Sequence, residues 1–264
     1  MPFAVSISIL SLLQAVVVAL PKSRPLPWAA ALRSRWWAAL PPLSIAVTIA
    51  VVAIYGGSAT ALAWLALVAV PPLAALALAV LVRGARPAWA PAVLPLFALA
   101  WAAQGSLAGE AAATALTALA CVALGWLLVS VVPVAWLKLG IYAMAAVDTW
   151  LVASDLLQGP NAVLSAAAPA ELPRLQVVHL GSAQMGFGDF FVAATLGCLL
   201  ARRRPLQLRA ALLVAILALA FDLLFFVLDT LPSTVPVAVA LALTQRLVPE
   251  GLEAEDAVRS RRPG

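Results

Sequence analysis

Asp189 closes the tetrapeptide Gly186-Phe187-Gly188-Asp189 at the head of an apolar run, Phe190 to Ala201. Asp148 stands inside a second apolar run, Ala145-Ala146-Val147-Asp148-Thr149-Trp150. A carboxylate at membrane depth is costly, which makes it a functional candidate with a partner to be found. Two carboxylates close together in a low dielectric do not both ionise easily, so one keeps a proton and the pair titrates as a unit. Such a pair can hydrolyse an amide: one carboxylate takes a proton from water while the other donates one to the scissile carbonyl. Gly186 and Gly188 carry no side chain, which lets backbone or substrate approach Asp189 closely. The spacing alone leaves two other uses open, polar helix packing and a proton relay of the kind transporters employ.

The elements that must position these residues follow from composition. Hydrophobic residues make up 65% of the chain and charged residues 10%, against roughly 25% charged in soluble domains. Mean hydropathy is +1.07. The chain has too little polar surface to face water, and the expected fold class is all-α, a polytopic membrane protein of about nine transmembrane helices. No metal site is expected. Cys121 and Cys198 both lie in apolar runs, and His179 is the only histidine, which argues against a zinc metalloprotease and against chemistry built on a Ser-His pair. The net charge of +5 comes from basic residues dispersed between apolar runs, which is not a nucleic-acid pattern.

With about 20 apolar residues per crossing, the predicted helices cover about 3–20, 42–55, 61–82, 89–103, 111–132, 139–154, 184–201, 210–227 and 235–248. The first lacks a basic leader and a cleavage site and reads as a retained helix. Pro71-Pro72 marks a kink in the third. Residues 1–248 form the transmembrane domain, and 249–264 form a tail expected to be disordered. If the loops alternate sides, fifteen of the sixteen Lys and Arg residues fall on one side and only Arg174 on the other. By the positive-inside rule this predicts a multi-pass protein of the cell membrane with its N-terminus outside and its C-terminus cytoplasmic. Asp148 then lies roughly 15 Å from Lys138 and Asp189 roughly 20 Å from Arg202 at 1.5 Å per residue. The sixth and seventh helices are antiparallel neighbours, so the two carboxylates sit at similar depth. Oligomeric state is not legible.

Asp148 in its apolar helix, followed by Gly186-Phe187-Gly188-Asp189, resembles the presenilin/signal peptide peptidase family of intramembrane aspartyl proteases. That family has a Tyr-Asp motif, a Gly-x-Gly-Asp motif and a Pro-Ala-Leu motif at helix nine. Here Val147 replaces the tyrosine, and Pro236-Val237-Ala238 stands where Pro-Ala-Leu is expected. The resemblance implies a presenilin-like fold and catalysis by Asp148 and Asp189. It also implies hydrolysis of transmembrane-helix substrates in the bilayer, with Gly186, Phe187, Gly188, Pro236, Val237 and Ala238 shaping the substrate groove. It implies no cofactor, and the predicted orientation is similar to that of signal peptide peptidase.

Three further features bear on this. The β-prone segment Leu175 to Leu180 reads either as a plain connecting loop or as an edge on which an unwound substrate can pair. His179 within it reads as an exposed polar residue. Asp222 lies roughly 20 Å from Arg209 by the helical rise, with Asp229 on the same face. It can tune the pair, line a water path, or act with Asp148 and Asp189 as the relay of a proton-coupled transporter. Prepilin peptidases also use Gly-x-Gly-Asp but continue with a lysine two residues on, where this chain has Phe190-Phe191. A non-catalytic scaffold is the remaining alternative.

Overall fold

A computed structural model describes residues 1–55, 57–156, 158–167, 171–228 and 230–246. The chain is predominantly helical. The ten α-helices among the described residues are α1 (Phe3–Ala19), α2 (Leu40–Ile54), α3 (Ser58–Leu76), α4 (Val93–Ala102), α5 (Leu107–Val131), α6 (Val134–Ala153), α7 (Gln158–Ala166), α8 (Phe187–Leu200), α9 (Arg204–Asp222) and α10 (Val235–Arg246). One hairpin, β1 (Val177–Leu180) and β2 (Ala183–Gly186), immediately precedes α8. Among the described residues, five helical segments are long and apolar enough to cross a membrane: Arg35–Val52, Ser58–Leu81, Leu107–Val131, Val134–Ala153 and Arg204–Phe226. The other four predicted spans correspond to shorter apolar helices: Phe3–Ala19, Pro87–Ala102, Phe187–Leu200 and Val235–Gln245. The tail from Pro249 and Asp229 lie outside the described residues.

The distribution of polarity is inverted relative to a water-soluble bundle. Val68, Leu94 and Leu212 are 71%, 72% and 61% exposed, while Ser11, Gln14, Thr117, Gln207 and Thr234 are buried. An apolar exterior of this extent is unfavourable in water and natural in hydrocarbon. The chain is therefore built for association with a membrane.

Several element boundaries differ from the sequence expectation, each for a local reason. The seventh helix does not start at Gln184, because Ala183 to Gly186 are drawn into the hairpin; α8 begins at Phe187. Glu110 belongs to the first turn of α5 and not to a preceding turn, since Ser106 caps that helix by accepting from the Gly109 N–H. Lys138 lies within α6, which starts directly after Pro133. The third helix continues past Pro71-Pro72 and widens into a π turn at Ala77–Leu81. The connection after α6 is not a bare loop, as it contains α7 and the hairpin.

Helices α1, α5, α8 and α9 form the centre of the bundle, with α5 against α8 and α1 against both α8 and α9. Gly197 of α8 allows the closest approach: a Cβ there would lie 2.4 Å from the Val18 carbonyl oxygen. The expected result of Gly197→Ala is separation of α1 from α8 and a loss of about 1–3 kcal/mol, the usual cost of overpacking a tight interface. Thermal unfolding in detergent would register this as a lowered midpoint, and an unchanged midpoint would contradict the packing described.

The hairpin turns through Gly181-Ser182, with positive φ (+61°) only at Gly181, the type II′ pattern. Glu110 holds its tip, accepting from the Gly181 N–H at 2.6 Å and lying 3.2 Å from His179 Nδ1. The Ser182 N–H donates to Ser6 Oγ on α1. The hairpin, and with it the start of α8, is thus anchored to two central helices.

Candidate active site

Asp189 is the third residue of α8. Its Oδ2 turns back to accept from the Gly186 N–H at 2.9 Å, so the carboxylate caps its own helix. The position also benefits from the positive end of the helix. Glycine at 186 has a steric reason: a Cβ there would stand 3.1 Å from Asp189 Oδ2. Phe187 is half-buried, and its carbonyl accepts from Cys121 Sγ on α5. Gly188, also half-buried, lies between Phe187 and Asp189 in the first turn.

Asp148 lies one and a half turns before the end of α6. Its Oδ2 accepts from Thr234 Oγ1 at 2.6 Å and, more distantly, from the Thr234 N–H at 3.4 Å. Thr234 immediately precedes α10, so Asp148 also faces a helix N-terminus. Asp148 and Asp189 stand on α6 and α8, which pack against each other and both against α10. From the basic ends of their helices, Asp148 is about 21 Å along α6 and Asp189 about 16 Å along α8 at 1.5 Å per residue. Asp189 sits at a helix start where the backbone leaves the hairpin.

A third residue joins the two halves. Gln14 of α1, fully buried, donates from Nε2 to the Asp189 carbonyl at 3.3 Å and to the Ser233 carbonyl at 3.1 Å. Ser233 and Thr234 are adjacent, so the segment that holds the Asp148 side chain is tied through Gln14 to the Asp189 backbone. Gln14 Oε1 is buried without a hydrogen-bond partner. Sequence reasoning missed Gln14, Ser11 and the role of Thr234. The signal was present in the first helix, where Ser11 and Gln14 interrupt an apolar run three residues apart and so share a face.

The residues Pro236, Val237 and Ala238 lie in the first turn of α10, all buried. Of these, Ala238 lines a shallow apolar groove of about 490 Å³ between α6 and α10, together with Ala145, Thr149, Trp150, Val235 and Ala242. The residue of this stretch that touches Asp148 is Thr234, two positions ahead of the motif. Replacing Thr234 by valine removes the hydroxyl and keeps the shape. If the pair is catalytic, Thr234→Val is expected to lower kcat about tenfold, the weight of one hydrogen bond to a charged group. Thr234→Ser should restore most of it, and equal activity of all three proteins would remove Thr234 from the site.

Asp222 ends α9 and accepts from Ser11 Oγ at 3.1 Å. Among the described residues no hydrogen bond joins it to Asp148 or Asp189. His179 is 44% exposed at its side chain, as expected of a polar surface residue. The segment Leu175 to Leu180 is not a free edge: β1 pairs with β2, and on its other side the His179 and Leu175 carbonyls accept from Thr114 and Thr117 of α5. The hairpin edge next to Asp189 belongs to β2, which pairs with no further strand among the described residues. No group of three or more metal-ligating side chains occurs among the described residues.

Comparison with protein-family models, curated proteins and solved structures finds no match to this chain.

Proposed function

We propose that the chain is an intramembrane aspartyl protease of presenilin-like architecture, with nine crossings, that hydrolyses transmembrane helices using Asp148 and Asp189. The observation that carries this reading is the linkage of the two aspartates: the Asp148 side chain accepts from Thr234, and Gln14 joins the adjacent Ser233 carbonyl to the Asp189 carbonyl. A proton shared by the pair fits the required chemistry. One carboxylate takes a proton from water as the water oxygen bonds to the scissile carbonyl carbon; the other gives its proton to the carbonyl oxygen. The resulting diol collapses as the C–N bond breaks, the amine nitrogen receives a proton, and the pair returns to its starting state.

The α6–α10 groove is where a substrate helix would dock: it is open, its alanines let a helix backbone approach, and it includes Thr149, next to Asp148 in the chain. An unwound segment can then add to the edge of β2, whose last residue, Gly186, directly precedes α8 and lies three before Asp189. The orientation with the N-terminus outside rests on the charge asymmetry of the loops. Among the described residues no hydrogen bond links Asp222 to Asp148 or Asp189, as the proton-relay reading would require.

The test is a cleavage assay with the purified protein in detergent and a model transmembrane peptide, products being assigned by mass spectrometry. Fragments produced by the wild type and absent with Asp148→Asn support the proposal. Fragments that persist with Asp148→Asn, or a folded wild type inert toward a panel of such peptides, overturn it.

A further inference from the structure

At the basic end of the bundle, four segments converge on Gln207 of α9, which is fully buried. Its Nε2 donates to the carbonyls of Val18, Pro21 and Gly197, at 3.0, 2.9 and 3.1 Å. Its Oε1 accepts from Arg83 Nη2 and Arg204 Nη1, each at 2.9 Å. The two guanidinium nitrogens are therefore no more than twice that distance apart. The surrounding backbone fixes this arrangement. The Lys22 and Arg83 N–H groups donate to the Leu81 and Leu20 carbonyls, bridging the end of α1 to the segment after α3. Arg83 Nη2 also reaches the Ala201 carbonyl, and Arg204 Nη1 the Ala19 carbonyl.

This is an unbalanced arrangement of charge. A neutral amide oxygen satisfies one hydrogen-bonding direction of each guanidinium but cancels neither charge. Among the described residues no carboxylate pairs with either arginine. The described acids, Glu110, Asp148, Asp155, Glu171, Asp189 and Asp222, lie in or beyond the other halves of their helices. Partial burial and the neighbouring Arg204 charge both pull Arg83 below its ordinary value. Arg83 is nonetheless exposed and Arg204 half-exposed, so their remaining N–H donors are open to a ligand. Arg204 also opens α9, whose positive end adds to the field.

We propose that Arg83 and Arg204 form a binding site for a phosphate oxyanion at the membrane surface, of the kind carried by an anionic phospholipid headgroup. The geometry fits: with N–H···O⁻ bonds of about 2.8 Å, two oxygens of one phosphate span a pair of guanidiniums this close. Arginine is suited to it by its fixed fork of donors and weak hydration. Position fits too, since Arg83 lies two residues beyond one candidate span and Arg204 begins another. Juxtamembrane basic residues at such a level meet anionic headgroups. The site stands independently of any catalytic role for the aspartates.

The test is native mass spectrometry of the full-length protein in detergent, titrated with phosphatidylglycerol, with phosphatidylcholine and with inorganic phosphate. The wild type is expected to retain phosphatidylglycerol, and Arg83→Gln to weaken that retention about fivefold or more, the weight of a juxtamembrane arginine. Arg209→Gln removes one charge from the exposed surface of α9 without touching Gln207, and is expected to change retention less than twofold. Displacement of the lipid by millimolar inorganic phosphate identifies a general oxyanion site; resistance to it identifies the headgroup as the ligand. Equal losses in Arg83→Gln and Arg209→Gln, or equal retention of the two lipids by the wild type, overturn the proposal. Because Arg204→Gln also loses the bond to Ala19, the exposed Arg83 carries the test, with thermal unfolding as the check that both variants are folded.

Discussion

On the proposed function, Asp189→Asn is expected to silence peptide-bond cleavage while leaving the bundle folded. The amide keeps an oxygen able to accept from the Gly186 N–H, so the cap on α8 survives with a cost of about 1 kcal/mol or less. It cannot take a proton from water or hold the one it must donate. A positioned acid or base contributes typically 10²–10⁴-fold, so kcat should fall by at least about a hundredfold. Asp148→Asn should do the same, and the double variant should be little worse than either, since the carboxylates act as one unit. Asp222→Asn is the control: it lies on Ser11 and not on the pair, and should retain activity within about threefold. A relay reading demands the opposite, equal damage from all three substitutions. Quantified fragment yields from one model peptide separate the two outcomes.

Gln14→Met is expected to lower both turnover and stability, through a residue that carries no charge. Methionine matches the length and fills the same space, but it donates to neither carbonyl. The Asp189 carbonyl retains the helical geometry around it, whereas the tie to the Ser233 carbonyl is lost. Leaving a buried backbone acceptor unsatisfied costs about 1–3 kcal/mol. The consequence for activity, which rests on the proposed function, is a looser relation between Thr234, Asp148 and Asp189. A displacement of a fraction of an ångström at such a pair costs turnover more than binding. The expected signature is a kcat about tenfold lower with KM near that of the wild type. A raised KM with kcat preserved would place Gln14 against the substrate, and unchanged kinetics would leave it as packing alone.

Composition and spacing carried much of this protein. An apolar fraction this high leaves a chain no fold but one that lipid can surround, and helices follow because hydrocarbon cannot satisfy an open backbone. The predicted segments each meet an apolar helix among the described residues because that signal is local and repeated over many residues. Asp148 and Asp189 stood out for a related reason: a carboxylate in an apolar run is conspicuous. Tertiary structure decided what surrounds them. Thr234 reaches Asp148 across 86 positions and Gln14 reaches Asp189 across 175, distances over which sequence periodicity has no information. The strand that displaced the start of the seventh helix also needed a partner, since Ala183 to Gly186 is extended only because β1 lies beside it and α1 and α5 hold the turn. The Arg83–Arg204 pair is the sharpest case. Both residues were legible as basic ends of apolar runs, but their meeting on one buried glutamine required four chain segments to close on the same point, and only packing determines that.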